Sequence, residues 1–213
     1  MNEAPVTFSS GDLTLEGLIA IPAGADAIRA AVVCHPHPQY GGSMHNNVVE
    51  AVLEAFWRRS FATLRFNFRG VGASEGEYGG GQGEADDAIA AMRFLLSRPG
   101  IASSGTVMSG YSFGAAVAMR AGSASKEVDT IVAVALPVAM DDFSAVAKGG
   151  KRLILVAGDR DAYCSEREIS ELAKTSGAKL KVLEGADHFF GGYEDQLTAA
   201  LDAMLTDEAP ASS

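Results

Sequence analysis

Cysteine and histidine are scarce in this chain. It has two cysteines, Cys34 and Cys164. They are too few and too far apart for a disulfide framework or a paired-thiol metal site, and a reducing compartment is the natural expectation. Basic residues are also short: 17 Lys and Arg stand against 27 Asp and Glu, a formal net charge of −10. Such a surface repels nucleic acid and anionic membranes, so neither is an expected partner. Long apolar runs are missing as well, which argues against a membrane-spanning helix. The N-terminal stretch MNEAPVTFSS has no basic segment followed by an apolar one. No signal peptide is therefore read there, and the expected location is the cytoplasm.

The 213 residues are 47% apolar and 21% charged. That composition suits one well-buried globular domain, expected over residues 1–207, with a frayed tail at 208–213. Residues 6–9 and 13–21 read as two strands around a Ser-Gly-Asp turn. Residues 30–34 (AAVVC) form a short, wholly apolar run, as a strand buried on both faces requires. Ser43 stands where it could cap a helix whose apolar residues recur at Val48, Val52, Ala55 and Phe56. Further strands are expected at 63–68, 106–109, 130–136, 151–157 and 179–183. Helices are expected at 84–96, 113–121, 166–175 and 193–205. A hairpin followed by strand–helix alternation implies an α/β fold, a mostly parallel sheet of about eight strands with helices on both faces. The connection between residues 136 and 151 is short, so no lid over the sheet is expected.

Gly110-Tyr111-Ser112-Phe113-Gly114 fits G-x-S-x-G. It follows the apolar stretch TVMS and opens the small-residue stretch AAVAMRA. A nucleophilic serine needs this strand–sharp turn–helix setting, because the turn lifts its hydroxyl above the sheet and the helix N-terminus favours an adjacent oxyanion. The serine also needs a base. Of four histidines, His35, His37, His45 and His188, only His188 follows Ser112. It lies after the last expected strand, at the sheet edge where functional groups gather. The acid that orients it should lie between the two, and Gly158-Asp159-Arg160-Asp161 ends a strand at that edge. Asp161 is the first choice and Asp159 the alternative. Asp141 and Asp142 fit helix capping better. The Phe113 amide, directly after the nucleophile, is the expected first oxyanion-hole donor.

Over essentially its whole length the chain resembles an α/β-hydrolase. It is similar especially to the small capless members related to dienelactone hydrolases. The loop HPHPQYGGS (35–43) resembles their His-Pro-His-Pro…Gly-Gly segment, and FNFRGVGASEG (66–76) their glycine-rich loop. The resemblance implies that the acid is the second Asp of G-D-x-D, which is Asp161. It also implies His37 as second oxyanion donor, its amide held rigid between Pro36 and Pro38; Tyr40 and Gly41 are alternatives. Dienelactone hydrolases proper use cysteine where this chain has Ser112.

Tyr40, Met44, Tyr111, Phe113, Tyr163, Phe189 and Phe190 fall near the same edge and are expected to line an apolar substrate pocket. His35, His37 and His45 lie within eleven residues, but the prolines between the first two read as loop geometry. No metal site is expected, and His35 reads as a buried structural residue. Gly70-x-Gly72 and the Gly79–Gly83 cluster miss the dinucleotide-binding spacing and read as flexible loop. Arg69 and Arg160 read as surface ion-pair residues. No cofactor is expected. The implied activity is serine-dependent hydrolysis of a small carboxylic ester with a short acyl chain. Thioesters, lactones and amides would use the same groups, a non-catalytic ligand sensor is the competing class, and a homo-oligomer is compatible with the sequence.

Overall fold

A computed structural model of the protein describes residues 2–23, 27–147 and 149–205; the expected tail at 208–213 lies outside them. The chain forms eight strands: β1 (Ala4–Ser10), β2 (Leu13–Ala20), β3 (Ala30–Cys34), β4 (Ala62–Phe66), β5 (Val107–Tyr111), β6 (Thr130–Val134), β7 (Arg152–Gly158) and β8 (Lys179–Leu183). They make one sheet in the order β1-β2-β4-β3-β5-β6-β7-β8. The β1–β2 and β2–β4 pairs are antiparallel and all others are parallel. Six helices accompany the sheet: α1 (Asn47–Arg58), α2 (Gln82–Leu96), α3 (Phe113–Ala124), α4 (Ser144–Ala147), α5 (Glu166–Ser176) and α6 (Glu194–Leu205).

The alternation of side chains along each buried strand divides the core in two. Ala30, Val32 and Cys34 of β3 join one apolar layer with residues of α2, α3 and α5. Ala31 and Val33 join the other, with residues of α1 and α6. A parallel strand covered on both faces reads as a near-continuous apolar run, which is why AAVVC was recognisable. The amphipathic helices α1 and α5 bury Val48, Val49, Val52 and Phe56, and Ile169 and Leu172.

Some expected boundaries shift for local reasons. β4 stops at Phe66 because the next groups are drawn elsewhere: the Phe68 N–H donates to His35 Nε2 at 3.1 Å, and the Asn67 side chain accepts the Met44 N–H at 2.9 Å. β6 ends at Val134 because Ala135 has φ 49°, a left-handed conformation in which extended pairing cannot continue. Helix α1 is capped by Asn46, whose side chain accepts the Val48 N–H; Ser43 instead accepts the His45 N–H. The glycine-rich loop is also firmer than its composition suggested. The fully buried Glu84 carboxylate accepts the Gly79 and Gly81 N–H groups at 2.7 Å each. Arg69 is clamped on the buried Asp87 through Nε and its backbone N–H, with the terminal guanidinium nitrogen at 2.7 Å. It is thus an interior ion pair and not a surface one.

Between β3 and β5 the chain changes direction across the sheet. The crevice at the carboxyl ends of two such strands is where open α/β sheets place their ligands. The His-Pro loop leaves β3 there, and Ser112 leaves β5.

Candidate active site

Ser112 has φ 56° and ψ −119°, a sharp turn whose strain the surroundings hold in place. The flanking glycines follow from packing. A Cβ on Gly110 would lie 2.1 Å from the Gly114 carbonyl oxygen, and one on Gly114 would lie 2.3 Å from that of Cys34. The turn therefore closes only with hydrogen at both positions. Ser112 begins α3 but its side chain makes no capping bond. Its Oγ lies 2.9 Å from His188 Nε2 instead.

On the other side of the imidazole, His188 Nδ1 lies 2.8 Å from Asp161 Oδ2 and 2.9 Å from Oδ1. A carboxylate only accepts, so Nδ1 carries the proton and Nε2 presents its lone pair to the serine hydroxyl. The Asp161 side chain is fully buried. Its Oδ1 also accepts the N–H groups of Tyr163 and Cys164, at 2.8 and 3.0 Å, which fixes the carboxylate before it meets the histidine. Burial and the neighbouring Asp161 hold the Cys164 thiol neutral, its pKa pushed up to about 12. Asp159 does not touch His188. Its Oδ1 accepts the Gly185 N–H at 2.7 Å, tying the end of β7 to the loop that carries the histidine.

The His-Pro loop meets this group from the β3 side. His37 packs its ring 4.7 Å from that of Phe113. Among the described residues neither the Phe113 nor the His37 N–H donates to a protein acceptor, so both expected oxyanion donors are free of partners. His35 is buried; its Nδ1 donates to the Pro36 carbonyl at 2.7 Å, and its Nε2 accepts the Phe68 N–H. Burial lowers its pKa to about 4, so it stays neutral. His45 is exposed. Among the described residues no three His, Cys, Asp or Glu side chains gather closely enough to hold a metal ion.

Apart from the half-buried Phe113, the expected pocket residues separate into two sets. Tyr40, Tyr163 and Phe189 are 87%, 48% and 65% exposed. Tyr163 and Phe189 pack edge-on to His188, at 4.8 and 5.6 Å between ring centres. Tyr111, Met44 and Phe190 are buried and do not form an open wall. The Tyr111 hydroxyl donates to the His188 carbonyl at 2.9 Å, so this residue holds the histidine loop from beneath. Met44 uses its backbone to bridge Asn67 and Arg65. Arg160 is exposed, with its N–H bonded to the Ala186 carbonyl.

Sequence reasoning missed Tyr78. The glycine-rich loop folds back and sets its hydroxyl 3.3 Å from His37 Nε2, its ring 5.1 Å from that of His37. The only signal was a lone aromatic among glycines.

A family model described as an alpha/beta hydrolase domain matches residues 30–206. The chain belongs to the α/β-hydrolase family. A serine hydrolase homologue of this family from Coxiella burnetii is 30% identical, with a TM-score of 0.87 over 96% of this chain and 98% of that one. A lidless α/β serine hydrolase from Xanthomonas campestris is 29% identical, with a TM-score of 0.86 over 100% and 98% of the two chains. An uncharacterised protein of Rickettsia prowazekii is 32% identical over 94% of this chain and 87% of its own length. Among the described residues only α4 interrupts the connection from β6 to β7, so this α/β-hydrolase likewise shows no lid there. Among its described residues no helix is long and apolar enough to cross a membrane.

Proposed function

We propose that this α/β-hydrolase cleaves small carboxylic esters through an acyl-enzyme intermediate, with Ser112 as nucleophile, His188 as base and then acid, and Asp161 as the group that orients His188. The observation that carries this reading is the unbroken hydrogen-bonded line Ser112–His188–Asp161. In acylation Ser112 Oγ attacks the ester carbonyl while its proton passes to His188 Nε2. The carbonyl oxygen becomes an oxyanion beside the Phe113 and His37 N–H groups. The intermediate collapses, the C–O bond to the alcohol breaks, and Nε2 returns the proton to the leaving oxygen. Water repeats the sequence on the acyl-serine and releases the acid. Without a lid, methylene groups far from the carbonyl stay in water, so short acyl chains are the proposed substrates.

Two measurements test this together: labelling by a fluorophosphonate, and kcat on a panel of acetyl and longer esters that includes thioesters and lactones. Wild-type protein should label at Ser112 and turn over acetyl esters. Ser112→Ala should lose labelling and several orders of magnitude in kcat, with an unchanged melting temperature. Comparable turnover by folded Ser112→Ala would overturn the mechanism. Absence of both labelling and turnover in wild type would favour a ligand-sensing role.

A further inference from the structure

Among the described residues the large exposed apolar side chains are Ile21, Tyr40, Met140, Tyr163 and Phe189. Ile21 follows β2, whose antiparallel direction takes it to the opposite edge of the sheet. The other four all lie on loops at the carboxyl edge, around Ser112. Scattered exposed apolar residues need no explanation, but a concentration of them at one edge does.

The direction of the chemistry distinguishes the two sides of this edge. His188 returns a proton to the departing alcohol, so that oxygen must come within hydrogen-bond reach of Nε2. The alcohol portion of the substrate therefore sits on the imidazole side and the acyl portion away from it. The rings flanking the imidazole with surface open to solvent are Tyr163 and Phe189. Beyond Tyr163 lies a hollow of about 600 Å³ whose lining includes Val138, Met140 and Leu172. It is joined to Tyr163 by the Ala139 N–H, which donates to the Tyr163 carbonyl. Another groove, of about 730 Å³ and lined by Phe8 and Phe94 among others, shares no residue with the site.

Resting on the esterase reading, we propose that Tyr163 and Phe189 form a leaving-group subsite for alcohols carrying a flat aromatic ring. Open ring faces and edges reward a planar partner through quadrupole geometry, which a puckered aliphatic ring of similar size cannot match. The selectivity belongs to acylation alone, because the alcohol has left before water attacks the acyl-serine.

Benzyl acetate and cyclohexylmethyl acetate test this cleanly. Both are acetates of primary alcohols, of similar bulk and leaving-group basicity, and both give the same acetyl-enzyme. Wild type should prefer the benzyl ester by about fivefold in kcat/KM, the scale of one aromatic contact. The preference should shrink toward unity in the Tyr163→Leu/Phe189→Leu double variant, which keeps apolar bulk and removes the rings. Equal kcat/KM for the two esters in wild type, or a preference that survives in the double variant, overturns the subsite. A binding measurement separates this from failure of the esterase reading. Folded Ser112→Ala is titrated with benzyl alcohol and cyclohexylmethanol by NMR, with the Tyr163 and Phe189 resonances as reporters. Tighter benzyl alcohol binding at those rings supports the subsite even if no ester is turned over, and equal binding overturns it.

Discussion

Asp161 performs two tasks with one carboxylate. Its Oδ1 gathers the N–H groups of its own loop while Oδ2 holds the imidazole. Asp161→Asn would present an amide N–H to His188 Nδ1 and force the proton onto Nε2, where it blocks the serine. The expected loss in kcat is about 10³–10⁴ with modest change in stability. The Asp159 carboxylate accepts the Gly185 N–H. Asp159→Ala should cost about 1 kcal/mol of stability and leave most of the activity. Measuring kcat and the denaturation midpoint for both variants checks the assignment, and a dead, stable Asp159→Ala would reverse it. That Ser112 and His188 would meet was legible because chain order left one histidine after the serine. Tyr111 was misread because adjacency to the nucleophile looks like exposure. Strand alternation sends its ring below the sheet edge, where the hydroxyl reaches the His188 carbonyl. Tyr78 was illegible for the opposite reason: its place depends on a buried Glu84 folding the loop back through Gly79 and Gly81, contacts that no periodic pattern announces.

At the scale of elements, the site depends on how closely β3 and α3 approach. Gly114→Ala would press a methyl group onto the Cys34 and His35 carbonyls, at 2.3 and 2.5 Å before relaxation. Those carbonyls belong to the end of a paired strand and yield poorly. A loss of about 1–3 kcal/mol is expected, with a larger fractional loss in kcat as the two proposed oxyanion donors separate; urea unfolding and kcat on an acetyl ester check both. His35 fastens the same junction and predicts a pH dependence. Its folded pKa of about 4 lies below the usual value near 6.5 for an unfolded chain. Between those values the unfolded chain takes up the proton that the folded one refuses. The stabilisation is therefore complete above pH 6.5 and is lost as pH falls toward 4, by about 3 kcal/mol. His35→Gln has no such proton to bind. Its unfolding free energy should fall less than that of wild type over this range, measured by urea titration at successive pH values. The strands themselves were readable because the central ones are largely apolar, with Thr63 and Arg65 in β4, Ser109 in β5 and Thr130 in β6 as buried polar interruptions. Their ends were not: Phe68 leaves the ladder for His35 in the His-Pro loop, and Ala135 ends β6 through its own left-handed backbone.

For the molecule as a whole, the absent lid sets the reach of the substrate. Among its described residues the segment from β6 to β7 holds only the four-residue α4, too little to roof a long chain. Each added methylene should then gain less than the roughly 0.8 kcal/mol of full burial. Across acyl esters from two to sixteen carbons, kcat/KM is expected to peak early; a steady climb would mean that a cover forms elsewhere. This openness also places the burden of selectivity on loops at one edge of the sheet, while the eight strands beneath serve only to hold those loops in register.

The line from serine to histidine to aspartate is short in space and long in the chain. Ser112 and His188 are 76 residues apart, and Asp161 and His188 are 27 apart. During synthesis the serine turn emerges long before its base, and a domain folds as a unit once its chain is complete. A nascent or truncated chain ending before β8 therefore carries an ordinary alcohol at position 112. The reactive group comes into being only when the last strand docks, so on the proposed mechanism nucleophilicity is itself a readout of finished folding.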